Sequence, residues 1–190
     1  KAISSHTGSL AGSYDTYLSA FKQSNIIPAD TVEELFDLAK ALAEQPPVKK
    51  NAIAVITNGG GCGVLCADYL AGFGVNLVRL KESTLRKLDA TKRMHPAYSR
   101  RNPLDIVGDA LPERYKAAIN IVLAEDYIGG IIVLQTLQTT TDPLEDAKII
   151  VEAKKKYPGK AIVCGYMGGL YSKEGHRYLE EHNVPDYNDP

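Results

Sequence analysis

Three short stretches carry the residue types from which chemistry could be built. In "SSHTGSLAGS", residues 4–13, His6 stands among small hydroxyl and glycine residues. A neutral imidazole is a competent nucleophile toward phosphorus, and a histidine with an ordinary pKa of ~6.5 is mostly neutral near pH 7. Ser5 and Thr7 flank it with hydroxyls able to hydrogen-bond a phosphoryl group, and Gly8 and Gly12 leave the segment free to move. A histidine in a polar loop is equally an ordinary solvated residue, so the other two stretches must decide.

The second stretch is "TNGGGCGVLCAD", residues 57–68, where an apolar run gives way to a helical pattern. Asn58, Gly59, Gly60, Gly61, Cys62 and Gly63 present backbone N–H groups that an anion can approach, and the helix they open adds the positive end of its dipole. The stretch is not a dinucleotide fingerprint, because Val64 replaces the third glycine, and no Lys-Ser/Thr pair follows to make a P-loop. A side chain at Gly60 or Gly61 is expected to meet an unfavourable φ or to fill the anion's space. The plain alternative is a tight turn. The third stretch is "RRNPLDIVGDALPERY", residues 100–115. It brings Asn102, Pro103, Asp105, Gly108 and Asp109 ahead of a helix, where they act on a ligand or serve as turn and cap residues.

The elements that would position these residues follow from periodicity. Tyr14, Tyr17, Leu18 and Phe21 make one helical stripe with Ser13 as N-cap. Thr31 and Glu34 form a capping box opening a second helix that runs to about Ala43. "EQPPVKKN", residues 44–51, reads as a linker, so the expected domains are 1–47 and 48–190. Beyond it, apolar runs at 52–57, 75–80, 130–135 and 160–166 alternate with amphipathic helices. That alternation predicts an α/β fold, a flavodoxin-like doubly wound parallel sheet of about five strands, preceded by a helical tail. In such a sheet, ligands gather at the carboxyl edge.

Composition narrows the function class. The 22 basic and 23 acidic side chains nearly cancel, which gives no electrostatic case for nucleic acid or an anionic membrane. No apolar run approaches the ~20 residues of a membrane span. Three cysteines make no disulfide framework and fit a reducing cytoplasm, and no histidine near Cys62 and Cys66 completes a zinc pattern. The chain opens on Lys1, as expected of a fragment.

Together "SSHTGSLAGS", "ELFDLAKAL", "ITNGGGCGVLCAD", "NPLDIVGDALPERY" and "YMGG" (166–169), in this order over essentially the whole chain, resemble the ADP-forming acetyl-CoA and acyl-CoA synthetases, relatives of succinyl-CoA synthetase. The resemblance is to the C-terminal part of an alpha subunit or of a fused chain. It implies that His6 is a phosphohistidine, that Asn58–Gly63 with Ser5 and Thr7 hold the phosphate, and that Asn102, Pro103 and Asp105 border the site. It implies conversion of acyl-CoA, ADP and phosphate to carboxylate, CoA and ATP, with Mg2+ accompanying the nucleotide on parts absent from this chain. Residues 1–47 would be the phosphohistidine loop and tail of a ligase-CoA domain, and 48–190 a succinyl-CoA synthetase-type domain. The implied partners are a CoA-binding domain and an ATP-grasp beta subunit or fused domain, with no nucleic acid or membrane. Two alternatives stand beside this: a non-catalytic module binding a nucleotide or flavin phosphate, and the synthetase-like part of a protein acetyltransferase. His95, His176 and His182 read as surface or loop residues.

Overall fold

The computed structural model describes residues 13–190. Two compact units divide between Lys40 and Ala41. In the first, helix α1 (Tyr14–Gln23) follows Ser13, whose side chain makes no cap bond. Helix α2 (Val32–Glu44) opens with Thr31 Oγ1 accepting from Glu34 N at 3.0 Å, while Glu34 Oε2 accepts from Asp30 N at 2.8 Å. The reciprocal bond of the capping box thus falls one residue outside its usual place.

The second unit is a five-stranded parallel sheet: β1 (Ile53–Thr57), β2 (Leu104–Asp105), β3 (Gly130–Thr136), β4 (Ala161–Met167) and β5 (Asp186–Tyr187). Its order is β2-β1-β3-β4-β5, the flavodoxin-like order, with every pairing parallel. Each crossover carries helix: α3 (Gly60–Gly72) and α4 (Glu82–Ala90) between β1 and β2, α5 (Pro112–Leu123), α6 (Pro143–Lys156), and α7 (Lys173–Glu181) after a short 3₁₀ turn (Gly169–Ser172). Alternate strand residues feed two cores. Ala54, Ile56, Ile131, Val133 and Ile162 meet the apolar stripes of α4, α5 and α6 on one face. Val55 and Leu134 meet Cys66 of α3 on the other.

The expected linker is fastened to this second unit. Ile162 N donates to Gln45 Oε1 at 2.7 Å, Lys154 Nζ donates to Glu44 O at 3.0 Å, and Lys50 Nζ donates to Asp126 O. The division between Lys40 and Ala41 falls within α2, ahead of the proline pair at which the sequence suggested a boundary.

The run 75–80 departs from its expected strand. Only Leu77 pairs, bridging to Ile53. The ladder stops because the side-chain amide of Asn102 takes the strand's place. Its Oδ1 accepts from Val55 N at 2.9 Å, and its Nδ2 donates to Ile53 O at 2.7 Å and to Val78 O at 3.0 Å. Leu104 and Asp105 then complete the edge opposite Ile56 and Thr57. The edge strand is therefore assembled from two segments and one side chain.

Candidate functional site

At the carboxyl edge β1 turns directly into α3, and the turn is locked from both sides. Thr57 Oγ1 accepts from Gly59 N at 3.0 Å and donates to Gly59 O at 3.2 Å. Asn58, almost fully buried, reaches across to β3: its Nδ2 donates to Thr136 O at 2.8 Å, and its Oδ1 accepts from Thr136 N at 2.7 Å and from Thr136 Oγ1 at 3.0 Å. This amide extends the β1–β3 ladder past the point where the β1 backbone leaves it. The Asn58 side chain is thus committed to β3, and Asn58 serves the loop by fixing it.

None of Gly59, Gly60, Gly61 and Gly63 has a positive φ, so the expectation of an unfavourable φ at Gly60 or Gly61 is not met. What these glycines supply is room. A Cβ on Gly59 would lie 2.5 Å from Thr136 Cγ2, on Gly60 2.6 Å from Asp105 Oδ2, and on Gly63 3.0 Å from Thr57 Cγ2 and 3.1 Å from Pro103 Cβ. Gly61 differs from the others. A Cβ there would meet nothing within 4 Å.

Within α3, Gly63 N already bonds Gly59 O at 3.1 Å. The N–H groups of Gly60, Gly61 and Cys62 have no acceptor among the described residues. Such first-turn donors, at the positive end of a 13-residue helix, favour an anion. Cys62 itself packs beside the Val55–Leu134 core, and burial pushes the Cys66 thiol up to about 11, which keeps it protonated near neutral pH.

The 102–110 loop supplies the neighbouring wall. Pro103 follows a cis peptide bond and packs toward Gly63, and Asp105 sits opposite Thr57 with Oδ2 toward Gly60. Asp105 Oδ1 accepts from Val107 N at 2.9 Å. Val107 stands at φ 72°, a left-handed conformation that costs a β-branched residue roughly 1–2 kcal/mol. No glycine or asparagine marks this position, so the sequence carried no signal of the bend. Asn102 does not turn its amide to the glycine loop, because all three of its bonds go to backbone on β1 and at Val78. Asp109 pairs with Arg114 at 2.5 Å, and that guanidinium holds its carboxyl below the usual range.

The structure thus brings Gly60, Gly61, Cys62, Gly63, Pro103 and Asp105 together and uses Asn58 and Asn102 as fasteners. His6, Ser5 and Thr7 lie outside the described residues. Thr57, Thr136 and Val107 are contributors that sequence reasoning missed. His176 also departs from its surface reading: it is largely buried, bonded through Nδ1 to Asp186 Oδ2 and edge-on to the Tyr166 ring. His182 stacks on Tyr178 with ring centroids 4.2 Å apart.

Residues 53–189 of this sheet and its loops match the Ligase-CoA domain, and residues 1–42 match the succinyl-CoA ligase like flavodoxin domain. The chain belongs to the Ligase-CoA domain family. The Ligase-CoA name falls on the second segment and the flavodoxin name on the first, whereas the sequence resemblance placed the ligase-CoA tail at 1–47. Along its whole length this Ligase-CoA chain is 41% identical to acetate–CoA ligase [ADP-forming] I of Archaeoglobus fulgidus, of which it covers 26%. It is 36% identical to acetate–CoA ligase [ADP-forming] II subunit alpha of Pyrococcus furiosus, of which it covers 42%. A solved structure, acetyl-coenzyme A synthetase 1 of Ca. Korarchaeum cryptofilum in complex with phosphate and ADP, superposes with a TM-score of 0.92 at 36% identity. That match covers 100% of this chain and 40% of the synthetase chain. The Ligase-CoA chain therefore spans less than half the length of these relatives.

Proposed function

We propose that the chain is the C-terminal portion of the alpha subunit, or of a fused chain, of an ADP-forming acyl-CoA synthetase. In this reading it converts acyl-CoA, ADP and phosphate to carboxylate, CoA and ATP in concert with the remaining parts. The observation that carries the reading is the set of first-turn N–H groups on Gly60, Gly61 and Cys62, left without acceptors beside Asp105. The similarity to a synthetase solved with phosphate and ADP supports a phosphoryl group as the anion they take. Whole-length relatives that are all CoA ligases among the most similar favour this over a flavin-binding module.

His6 supplies the nucleophile. Phosphate displaces CoA from the thioester, forming the C–O bond of an acyl phosphate as the C–S bond breaks, and the neutral imidazole nitrogen then attacks that phosphorus, forming the P–N bond as the P–O bond to the carboxylate breaks. The return step transfers the phosphoryl group to a terminal oxygen of ADP, breaking the P–N bond and giving ATP. The N–H groups of α3 stabilise the equatorial oxygens throughout, and positioning with such electrostatic stabilisation accounts for most of the rate. Ser5 and Thr7 add hydroxyl donors from the His6 side. Asp105, fixed at one oxygen by Val107 N, turns its other oxygen toward Gly60 at the edge of the cradle.

Mg2+ would accompany the nucleotide. Among the described residues no group of three histidine, cysteine or acidic side chains is placed to hold a metal ion, so the ion belongs with the nucleotide on other parts of the enzyme. A CoA-binding domain and an ATP-grasp partner complete the proposal, with the cytoplasm as its compartment. No helix among the described residues is long and apolar enough to cross a membrane.

The deciding experiment is phosphate labelling of the complete enzyme during turnover with an alkaline quench. A phosphoramidate survives base, so label should remain on the parent and be absent from His6→Asn, which keeps size and polarity but cannot attack phosphorus. Equal base-stable label on the variant would refute the assignment.

A further inference from the structure

A cleft of about 780 Å³ opens beside the edge of the sheet, lined by Leu77–Glu82, Leu85 and Arg100–Asn102, apart from Val78. It shares no lining residue with the glycine loop or with Pro103 and Asp105. Four cationic side chains, Arg79, Lys81, Arg100 and Arg101, face it against the single carboxylate of Glu82. The chain as a whole carries a net charge of -1, so this concentration is local.

The four cations are not equivalent. Arg100 is committed: its Nη1 donates to both oxygens of Asp89 at 2.9 and 2.8 Å and to Tyr98 Oη at 3.0 Å, with Glu82 at 3.4 Å from Nη2. Arg79, Lys81 and Arg101 have no carboxylate partner among the described residues. Lys81 Nζ rests 4.4 Å from the centre of the Tyr127 ring, a contact that places the charge without neutralising it. The backbones that carry these groups are also fixed in place. Asn102 Nδ2 holds Val78 O, the residue before Arg79, and Asn102 itself follows Arg101. Leu80 and Leu85, both buried, give the cleft an apolar side.

Two guanidiniums and an ammonium without carboxylate partners line one open cleft of ligand size beside the single carboxylate of Glu82, so they favour a ligand with several negative charges at short spacing. We propose that this cleft binds a small organic pyrophosphate of the nucleoside diphosphate class. Arg79, Lys81 and Arg101 take the diphosphate and the leucine side takes the uncharged moiety. The inference rests on the cleft's own residues and not on the proposed reaction.

The test is calorimetric titration of the 190-residue chain, at about 0.1 M salt, with ADP, inorganic pyrophosphate and, as the uncharged comparison, adenosine. ADP and pyrophosphate should bind saturably with Kd below about 1 mM, and adenosine should not. Arg79→Ala with Arg101→Ala should weaken both ligands by at least about tenfold, and Arg101→Glu should abolish pyrophosphate binding. Because these side chains are exposed and unpaired, the melting temperature should stay at the parent value, which separates lost binding from lost fold. Lys173→Ala, at a residue that lines neither the cleft nor the glycine loop, should leave the affinity unchanged. Absence of saturable binding, or binding that survives the double arginine variant, would overturn the proposal.

Discussion

Gly61 separates a phosphate cradle from a structural turn more sharply than its neighbours do. Gly59→Ala would drive a methyl to 2.5 Å from Thr136 Cγ2, and Gly60→Ala to 2.6 Å from Asp105 Oδ2. Either change disturbs the fold, at about 1–3 kcal/mol for an overpacked site, so lost activity would be ambiguous. At Gly61 nothing lies within 4 Å of the added carbon, and the backbone is already that of the first turn of α3. Gly61→Ala should therefore stabilise the fold by up to about 1 kcal/mol through helix propensity, which for a chain of this size raises Tm by at most about 4 °C. Gly61→Val should leave Tm within a few degrees of the parent. If the loop is the proposed cradle, both side chains intrude on the space the anion needs beside these N–H groups. Removing one donor of this kind costs on the order of 10²–10³ in rate, so Gly61→Val should slow base-stable labelling of His6 by at least about 100-fold, with Ala intermediate. The assay is a rapid-quench time course of labelling in the complete enzyme, paired with a melt of the same sample. Labelling of Gly61→Val at the parent rate would refute the cradle and leave the loop a turn.

The other predictions test the scaffold and the division of labour. Asn102→Ala deletes three hydrogen bonds and strands Val55 N on an edge already short of pairing; urea unfolding should show a loss of about 2–4 kcal/mol, with Asn102→Asp intermediate because it keeps only the acceptor. Burial raises the Asp146 carboxyl to about 7, against a bond from Gln135 that lowers it and the nearby Asp142 and Glu145 that raise it. Between pH 3.8 and about 7 the folded state thus keeps a proton the unfolded chain has lost, so stability falls as pH rises through that window and is level above it. Asp146→Asn should flatten this slope and be more stable than the parent at pH 8 by about 2–4 kcal/mol, read from urea midpoints across pH. The 190-residue chain alone should fold yet make no ATP from acyl-CoA, ADP and phosphate in a coupled assay; turnover by it would refute the proposed division of the site among further parts.

The parts of the fold legible in the sequence are those written in local periodicity. The continuous apolar runs became β1, β3 and β4, and the helices between them fell within a residue or two of their stripes because each period is set by neighbours three or four positions apart. The glycine loop was legible as well, since four glycines at a strand-to-helix junction have few other uses. What escaped is carried by bonds between distant residues. Asn102 reaches back to Ile53 and Val55, and Asn58 reaches forward to Thr136, 78 positions along the chain. Nothing in an asparagine's immediate neighbours announces such a bond. The missing strand at 75–80 is the same effect seen from the other side: the run has strand composition, but its partner backbone is already engaged by an amide.

Asn58 was expected to bind the phosphate and Asn102 to border the site, and each side chain is instead committed to fastening its loop. Asn58 ties the start of the glycine loop to β3, so the donors of α3 are referenced to the central strands of the sheet. Asn102 ties the other wall to β1, and its next neighbours place Pro103 against Gly63 and Asp105 against Gly60. The two walls are thus fixed to adjacent strands through side-chain amides, with Thr57 at the meeting point in register with Asp105. An anion arriving between them meets donors on one side and a carboxylate on the other. That pairing has a chemical consequence: a free phosphate dianion held by the N–H groups of α3 is opposed by the Asp105 carboxylate. Asp105→Asn should therefore tighten the binding of inorganic phosphate to this loop in a calorimetric titration, and an unchanged or weaker affinity would refute the repulsion.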